Sequence, residues 1–159
     1  TLDRSSAASD VYKRQEKDLV ETVLPYRPLF IKPNKDELEV MFNTTVKSDE
    51  DVIKYGKEIL KKGAQSVIIS LGGDGAIYVD QHQSIKAVNP QGHVVNTVGS
   101  GDSTVAGMVA GLSMGLNVDE AFQQAVASGT ATAFSEDLAT RDAIENIKSQ
   151  VTISVLDGE

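Results

Sequence analysis

The apolar positions of this chain change period several times, and each change marks an element. Between residues 17 and 24, Leu19, Val20, Val23 and Leu24 recur at helical spacing, and Pro25 and Pro28 stop the run. Leu29-Phe30-Ile31 then predicts a short buried strand. Residues 34–42 read as a helix with Asn34 as N-cap and Glu37 three residues on, the spacing of a reciprocal capping box. A second helix over 49–62 has Ser48 as cap, an apolar stripe of Val52, Tyr55, Ile59 and Leu60, and Gly63 as terminator. Residues 66–71 form a nearly continuous apolar run, which predicts a strand covered on both faces and hence a parallel sheet.

Past a glycine-rich loop, residues 76–79 and 84–88 read as the strands of a hairpin around 80–83, and Asn89-Pro90-Gln91-Gly92 reads as a turn. Val94 and Val95 lead into a second glycine turn. The helical pattern behind it puts Val105, Met108, Val109, Leu112 and Leu116 on one face, with Gly107, Gly111 and Gly115 beside them at every fourth position. Each glycine costs a helix roughly 1 kcal/mol against alanine, so a stripe of them implies close backbone packing. Helices over 118–134, capped by Asn117, and 140–148, then a strand over 151–155, complete the pattern. Helix, strand and glycine loop in alternation predict an α/β fold, a doubly wound, mostly parallel sheet flanked by helices. Residues 1–15, where Leu2, Val11 and Tyr12 follow neither period, read as a disordered or non-native leader, which leaves one domain over 16–159.

Composition narrows the function. With 159 residues, 40% apolar and 24% charged, the chain is ordinary for a globular domain. Its 15 basic and 23 acidic residues give a net charge of −8, which argues against a nucleic-acid or anionic-membrane partner, so any phosphate site must be local. There is no cysteine, and His82 and His93 lack ligand spacing, so disulfide frameworks and thiolate metal sites are excluded. The weakly polar run 105–116 is well short of the ~18 residues of a membrane span. A cytoplasmic location is expected.

The candidate chemistry lies in three places. Gly99-Ser100-Gly101-Asp102 stands where a short apolar segment runs into a helix, so its backbone N–H groups can face outward and hold an anion. Asp102 would repel that anion unless it accepts a proton from an attacking hydroxyl, the pairing used in phosphoryl transfer. The plainer alternative is a strand-to-helix turn with Asp102 on the positive end of the helix dipole. A dinucleotide fingerprint fails on context, because Thr104 stands where the third glycine belongs and Asp119 begins a helix. Ser70-Leu71-Gly72-Gly73-Asp74-Gly75 follows a strand and reads either as a ligand loop or as a hairpin turn. Asn34-x-x-Glu37 fits either a cation site or plain capping, since Asn117-x-x-Glu120 repeats the spacing.

Taken in order, these motifs resemble those of the PfkB, ribokinase-like, carbohydrate kinases. Asn96-Thr97-Val98-Gly99-Ser100-Gly101-Asp102 is similar to the family signature Asp-Thr-x-Gly-Ala-Gly-Asp, with Asn96 and Ser100 as departures seen in its branch acting on phosphorylated hexoses. The resemblance covers 16–159 and implies the C-terminal portion of a ribokinase-like fold. It implies ATP and Mg²⁺ as cofactors and a phosphorylated hexose as substrate. Asp102 would be the catalytic base and Gly99, Ser100 and Gly101 would stabilise the moving phosphoryl. Asn34, Ser70, Gly72, Gly73, Asp74, Gly75, Ser100 and Gly101 would bind the nucleotide, and Glu37 would place the metal. The family also lays adenine against the helix that corresponds to 125–134. The expected acceptor is fructose 1-phosphate, with tagatose 6-phosphate, or a non-catalytic nucleotide-binding product, as alternatives. A homodimer is expected of the full-length enzyme, and no activity of this portion alone.

Overall fold

The computed structural model describes residues 17–158. The expected leader, 1–15, and the domain boundary at residue 16 lie outside the described residues. The described chain forms two compact units, one of residues up to Leu71 with Ile77–Ser84, the other of Gly72–Ala76 with Ile85–Gly158.

In the first unit, α1 (17–23) ends in a 3-10 turn at Leu24–Tyr26, where the prolines forbid continuation. Helix α2 (Lys35–Phe42) begins at Asn34, and α3 (Asp49–Lys62) begins at Ser48, whose hydroxyl accepts the Asp51 N–H. Both lie on β1 (Val67–Ser70), and Leu38, Met41, Val52, Ile59, Val67, Ile69, Ile77 and Val79 close one core. Burial of each such side chain contributes about 1.5–3 kcal/mol.

The short buried strand expected at 29–31 is corrected. Leu29 is 56% exposed, and only isolated parallel bridges, Ile31 with Val67 and Asn34 with Ser70, reach β1. The reason is in the hydrogen bonds. Ile31 donates to Ser66 O and accepts from Ile68 N, and Ser70 N donates to Pro33 O, but Pro33 has no N–H to supply the rung between.

Strands β2 (Ala76–Val79) and β3 (Gln83–Val88) follow, and β4 (Thr152–Gly158) completes a four-stranded sheet in chain order. The short loops joining β1 to β2 and β2 to β3 make those neighbours antiparallel, and residues 31–34 bridge β1 in parallel. Asp80 fastens the β2–β3 turn by accepting the N–H groups of His82 and Gln83.

In the second unit, α4 (Ser100–Ser113) packs on α5 (Val118–Ala133), with α6 (Arg141–Lys148) on the same helix. The buried face of α4 is Gly107, Met108 and Gly111, so that of the aliphatic stripe Met108 is buried while Val109 is 48% exposed. A Cβ at Gly107 would lie 2.9 Å from Ala125 Cα, and one at Gly111 would lie 3.0 Å from Ala121 Cα, so the two helices meet almost backbone to backbone. Gly115 is no part of this contact. It follows the helix end at φ +81°, a conformation that favours glycine, and a Cβ there would meet nothing within 4 Å.

Candidate functional site

Asn34, Glu37 and Ser70 belong to the first unit; Gly72 to Gly75 and Gly99 to Asp102 belong to the second.

Helix α4 opens on Gly99, an N-cap at φ +80° that offers no side chain to its own first turn. Ser100 N donates to Thr97 O at 3.2 Å and Ser103 N donates to Gly99 O at 2.8 Å, whereas the N–H groups of Gly101 and Asp102 have no acceptor among the described residues. Open donors at the positive end of a helix of this length are an anion-binding arrangement. Asp102 sits in the same turn, exposed, with its carboxylate on the dipole. The turn is held from behind. A Cβ on Gly129 of α5 would overlap Thr104 Oγ1 and lie 3.0 Å from Ser100 O, Thr104 Oγ1 donates to Ser100 O at 2.9 Å, and Thr132 Oγ1 donates to Ser103 Oγ at 2.9 Å.

The second glycine turn is a 3-10 turn, Gly72–Asp74, closed by a 3.2 Å bond from Gly75 N to Gly72 O. Gly75, at φ +94°, lies so close to β3 that a Cβ would overlap Ala87 O. By contrast, a Cβ on Gly72 or Gly73 would meet nothing within 4 Å, so the outer side of the turn is open to a ligand.

At the start of α2 the capping box closes in both directions: Asn34 Oδ1 accepts the Glu37 N–H and Glu37 Oε2 accepts the Asn34 N–H, each at 2.8 Å. At α5 Asn117 accepts the Glu120 N–H at 2.9 Å. No cluster of three or more acidic or histidine ligands exists among the described residues, so a cation at Glu37 would be held through one carboxylate and water, which suits Mg²⁺. Ser70 ends β1, its N–H bonded to Pro33 O at 3.1 Å. The stretch 125–132 of α5, whose small residues the adenine reading needed, is buried throughout as the core of the second unit.

Sequence reasoning passed over Asn89, Thr130 and Gly129. Asn89 read only as part of a turn, yet its side-chain amide joins Gly72 O to the Thr130 hydroxyl.

A sequence model of the pfkB family carbohydrate kinases matches residues 5–144. The chain belongs to this family. It is 43% identical over 130 residues to 1-phosphofructokinase of Bacillus subtilis (strain 168), which covers 82% of the chain and 43% of that protein. Over 134 residues it is 41% identical to D-tagatose-1-phosphate kinase of Bacillus licheniformis, covering 84% and 44%. Its fold matches, at TM-score 0.88 and 81% identity, the solved structure of a Staphylococcus aureus protein assigned as a phosphofructokinase, over 89% of this chain and 46% of that one. The ribokinase-like α/β fold expected from the motifs is therefore shown. The chain spans less than half the length of the curated relatives it matches. Among the described residues no helix is long and apolar enough to cross a membrane.

Proposed function

We propose that this chain provides the nucleotide-binding and proton-accepting part of an ATP-dependent kinase for a ketohexose 1-phosphate, with fructose 1-phosphate as the first acceptor. The observation that carries the reading is the first turn of α4, where an exposed carboxylate, Asp102, shares one helix turn with two open N–H donors. An anion cradle alone has no use for that carboxylate. ATP, when bound with Mg²⁺, supplies the phosphoryl group and the metal charge that offsets its oxygens. Asp102 takes the proton from the acceptor's 6-hydroxyl as that oxygen bonds to the γ-phosphorus of ATP and the bond from that phosphorus to the β–γ bridging oxygen breaks, with ADP as the leaving group. The N–H groups of Gly101 and Asp102 meet the negative charge on the moving phosphoryl, where fixed donors count most. Gly72, Gly73 and Asp74 present open backbone to the nucleotide, with Ser70 at the strand end before them, and Glu37 would hold Mg²⁺ through its carboxylate.

The acceptor is chosen on the relatives' names: 1-phosphofructokinase and D-tagatose-1-phosphate kinase both denote enzymes acting on a ketohexose 1-phosphate. Tagatose 6-phosphate, the alternative the motifs allowed, gains nothing from them. A second reading, a product that binds nucleotide without turnover, is favoured by the chain spanning 43% and 44% of those relatives. A homodimer of the full-length enzyme remains part of the proposal. Coupled assays with fructose 1-phosphate, tagatose 1-phosphate and tagatose 6-phosphate test it, on these 159 residues and on the chain in a full-length context. Turnover of either 1-phosphate in the full-length context supports the reading; activity confined to tagatose 6-phosphate, or none, refutes it.

A further inference from the structure

Both glycine turns of the second unit are fastened to one short stretch of α5. Gly129 admits the first turn of α4, and Thr132 bonds to Ser103 within it. Between them in sequence, Thr130 reaches the other turn through Asn89. Thr130 Oγ1 donates to Asn89 Oδ1 at 3.0 Å, and Asn89 Nδ2 donates to Gly72 O at 3.2 Å. The orientation of the amide is fixed by chemistry: Gly72 O can only accept, so the amide nitrogen must face it and the oxygen must face the hydroxyl. Thr130 is 6% exposed, so its hydroxyl has little access to water as a substitute partner.

We infer that Asn89 is a positioning residue for nucleotide binding, and that its bridge from Gly72 to Thr130 holds the Gly72–Asp74 turn in register with the start of α4. The inference rests on the nucleotide reading of these turns. Gly75 is pinned against Ala87 on β3, and Gly72 and Gly73 have no neighbour that a Cβ would touch, so nothing packs on the outer side of the turn to hold it. The Asn89 amide supplies the fixed point at its leading end. Gly72 O also accepts the Gly75 N–H, so the bridge and the turn's own closing bond share one oxygen. Loss of the bridge frees the carbonyl to rotate and loosens the closing bond with it.

At 17.0 kDa the chain suits amide NMR, and the test uses it isotope-labelled, as Asn89→Ala, Thr130→Val, Thr130→Ser and the unchanged sequence, each titrated with Mg·ADP. In the unchanged chain Mg·ADP is expected to move the Gly72, Gly73 and Gly75 signals. Asn89→Ala and Thr130→Val should each speed Gly75 amide exchange and weaken Mg·ADP binding by up to about tenfold, the loss of one net hydrogen bond. Combining them should add little, because they break the same bridge, and Thr130→Ser, which keeps the hydroxyl, should behave as the unchanged chain. If Asn89→Ala and Thr130→Val keep normal Gly75 exchange and affinity while the unchanged chain responds to Mg·ADP, the positioning role is refuted and the nucleotide reading stands. If Mg·ADP moves none of the turn signals in the unchanged chain, the nucleotide reading falls and takes the positioning role with it. Should Asn89→Ala fail to fold, the pair at Thr130 decides, and equal behaviour of Val and Ser there overturns the inference.

Discussion

Replacing Gly107 by alanine sets two rules against each other. In an isolated helix alanine would gain about 1 kcal/mol over glycine. In this fold the new methyl would stand 2.6 Å from Ser128 Oγ, 2.9 Å from Ala125 Cα and 3.0 Å from Ser128 Cβ. Ser128 could rotate away only by giving up its 2.8 Å bond to Gln124 O, at about 0.5–1.5 kcal/mol. Ala125 Cα cannot rotate, so α5 itself would have to move outward and strain the 3.2 Å bond from Gln124 Nε2 to Gly107 O. Overpacking of this kind costs about 1–3 kcal/mol. With the lost Ser128 bond included and the propensity gain set against it, the net loss is about 0.5–3.5 kcal/mol, or a fall in Tm of about 1–14 °C for a chain of this size. Thermal melting followed by circular dichroism, with urea midpoints as a check, measures it. Gly73→Ala is the internal control, since its methyl meets nothing within 4 Å, and its midpoint should move by no more than about 0.5 kcal/mol. A rise in the stability of Gly107→Ala, to the value propensity alone gives, would refute the close α4–α5 contact.

Asp102→Asn in the full-length context should lower kcat by about 10²–10⁴-fold with ATP affinity nearly unchanged, because the amide keeps the shape but accepts no proton; near-normal turnover would remove Asp102 from the base role. Glu37→Gln should weaken the Mg²⁺ dependence of turnover while leaving helix stability nearly intact, since glutamine also closes a capping box; Glu120→Gln should leave that dependence alone, and equal effects of the two would return Glu37 to capping only. Gly75→Ala should destabilise by about 1–3 kcal/mol in a urea titration, because it forces a Cβ onto Ala87 O at a backbone angle that side chains rarely adopt; an unchanged midpoint would mean the turn can move away from β3.

Local signals were legible. The caps at Asn34, Ser48 and Asn117 fall where their residues predict, because a cap is an interaction across three residues and leaves its mark within one turn. The glycine turns were legible for the same reason. The strand at 29–31 was over-read from its apolar residues, since what breaks its ladder is a missing N–H at Pro33, a property of pairing with β1 rather than of the run itself. For α4 the aliphatic and glycine stripes run side by side, and only the presence of α5 decides which of their residues are buried; contact through glycine brings backbones close enough to leave Val109 outside. Asn89 was beyond local reading altogether, as its partners lie 17 and 41 residues away. The Asn-x-x-Glu spacing is the instructive case. Sequence posed capping and metal binding as rivals; the closed box at Asn34 shows the capping, and the metal role stays a proposal. The Asn34 N–H bonds to Glu37 Oε2 at 2.8 Å. That bond fixes the Glu37 side chain at the start of α2 beside the end of β1, where Asn34 bridges Ser70. The cap thus fixes the direction of the carboxylate on which the metal proposal rests, and only the Mg²⁺ dependence of Glu37→Gln separates the two roles.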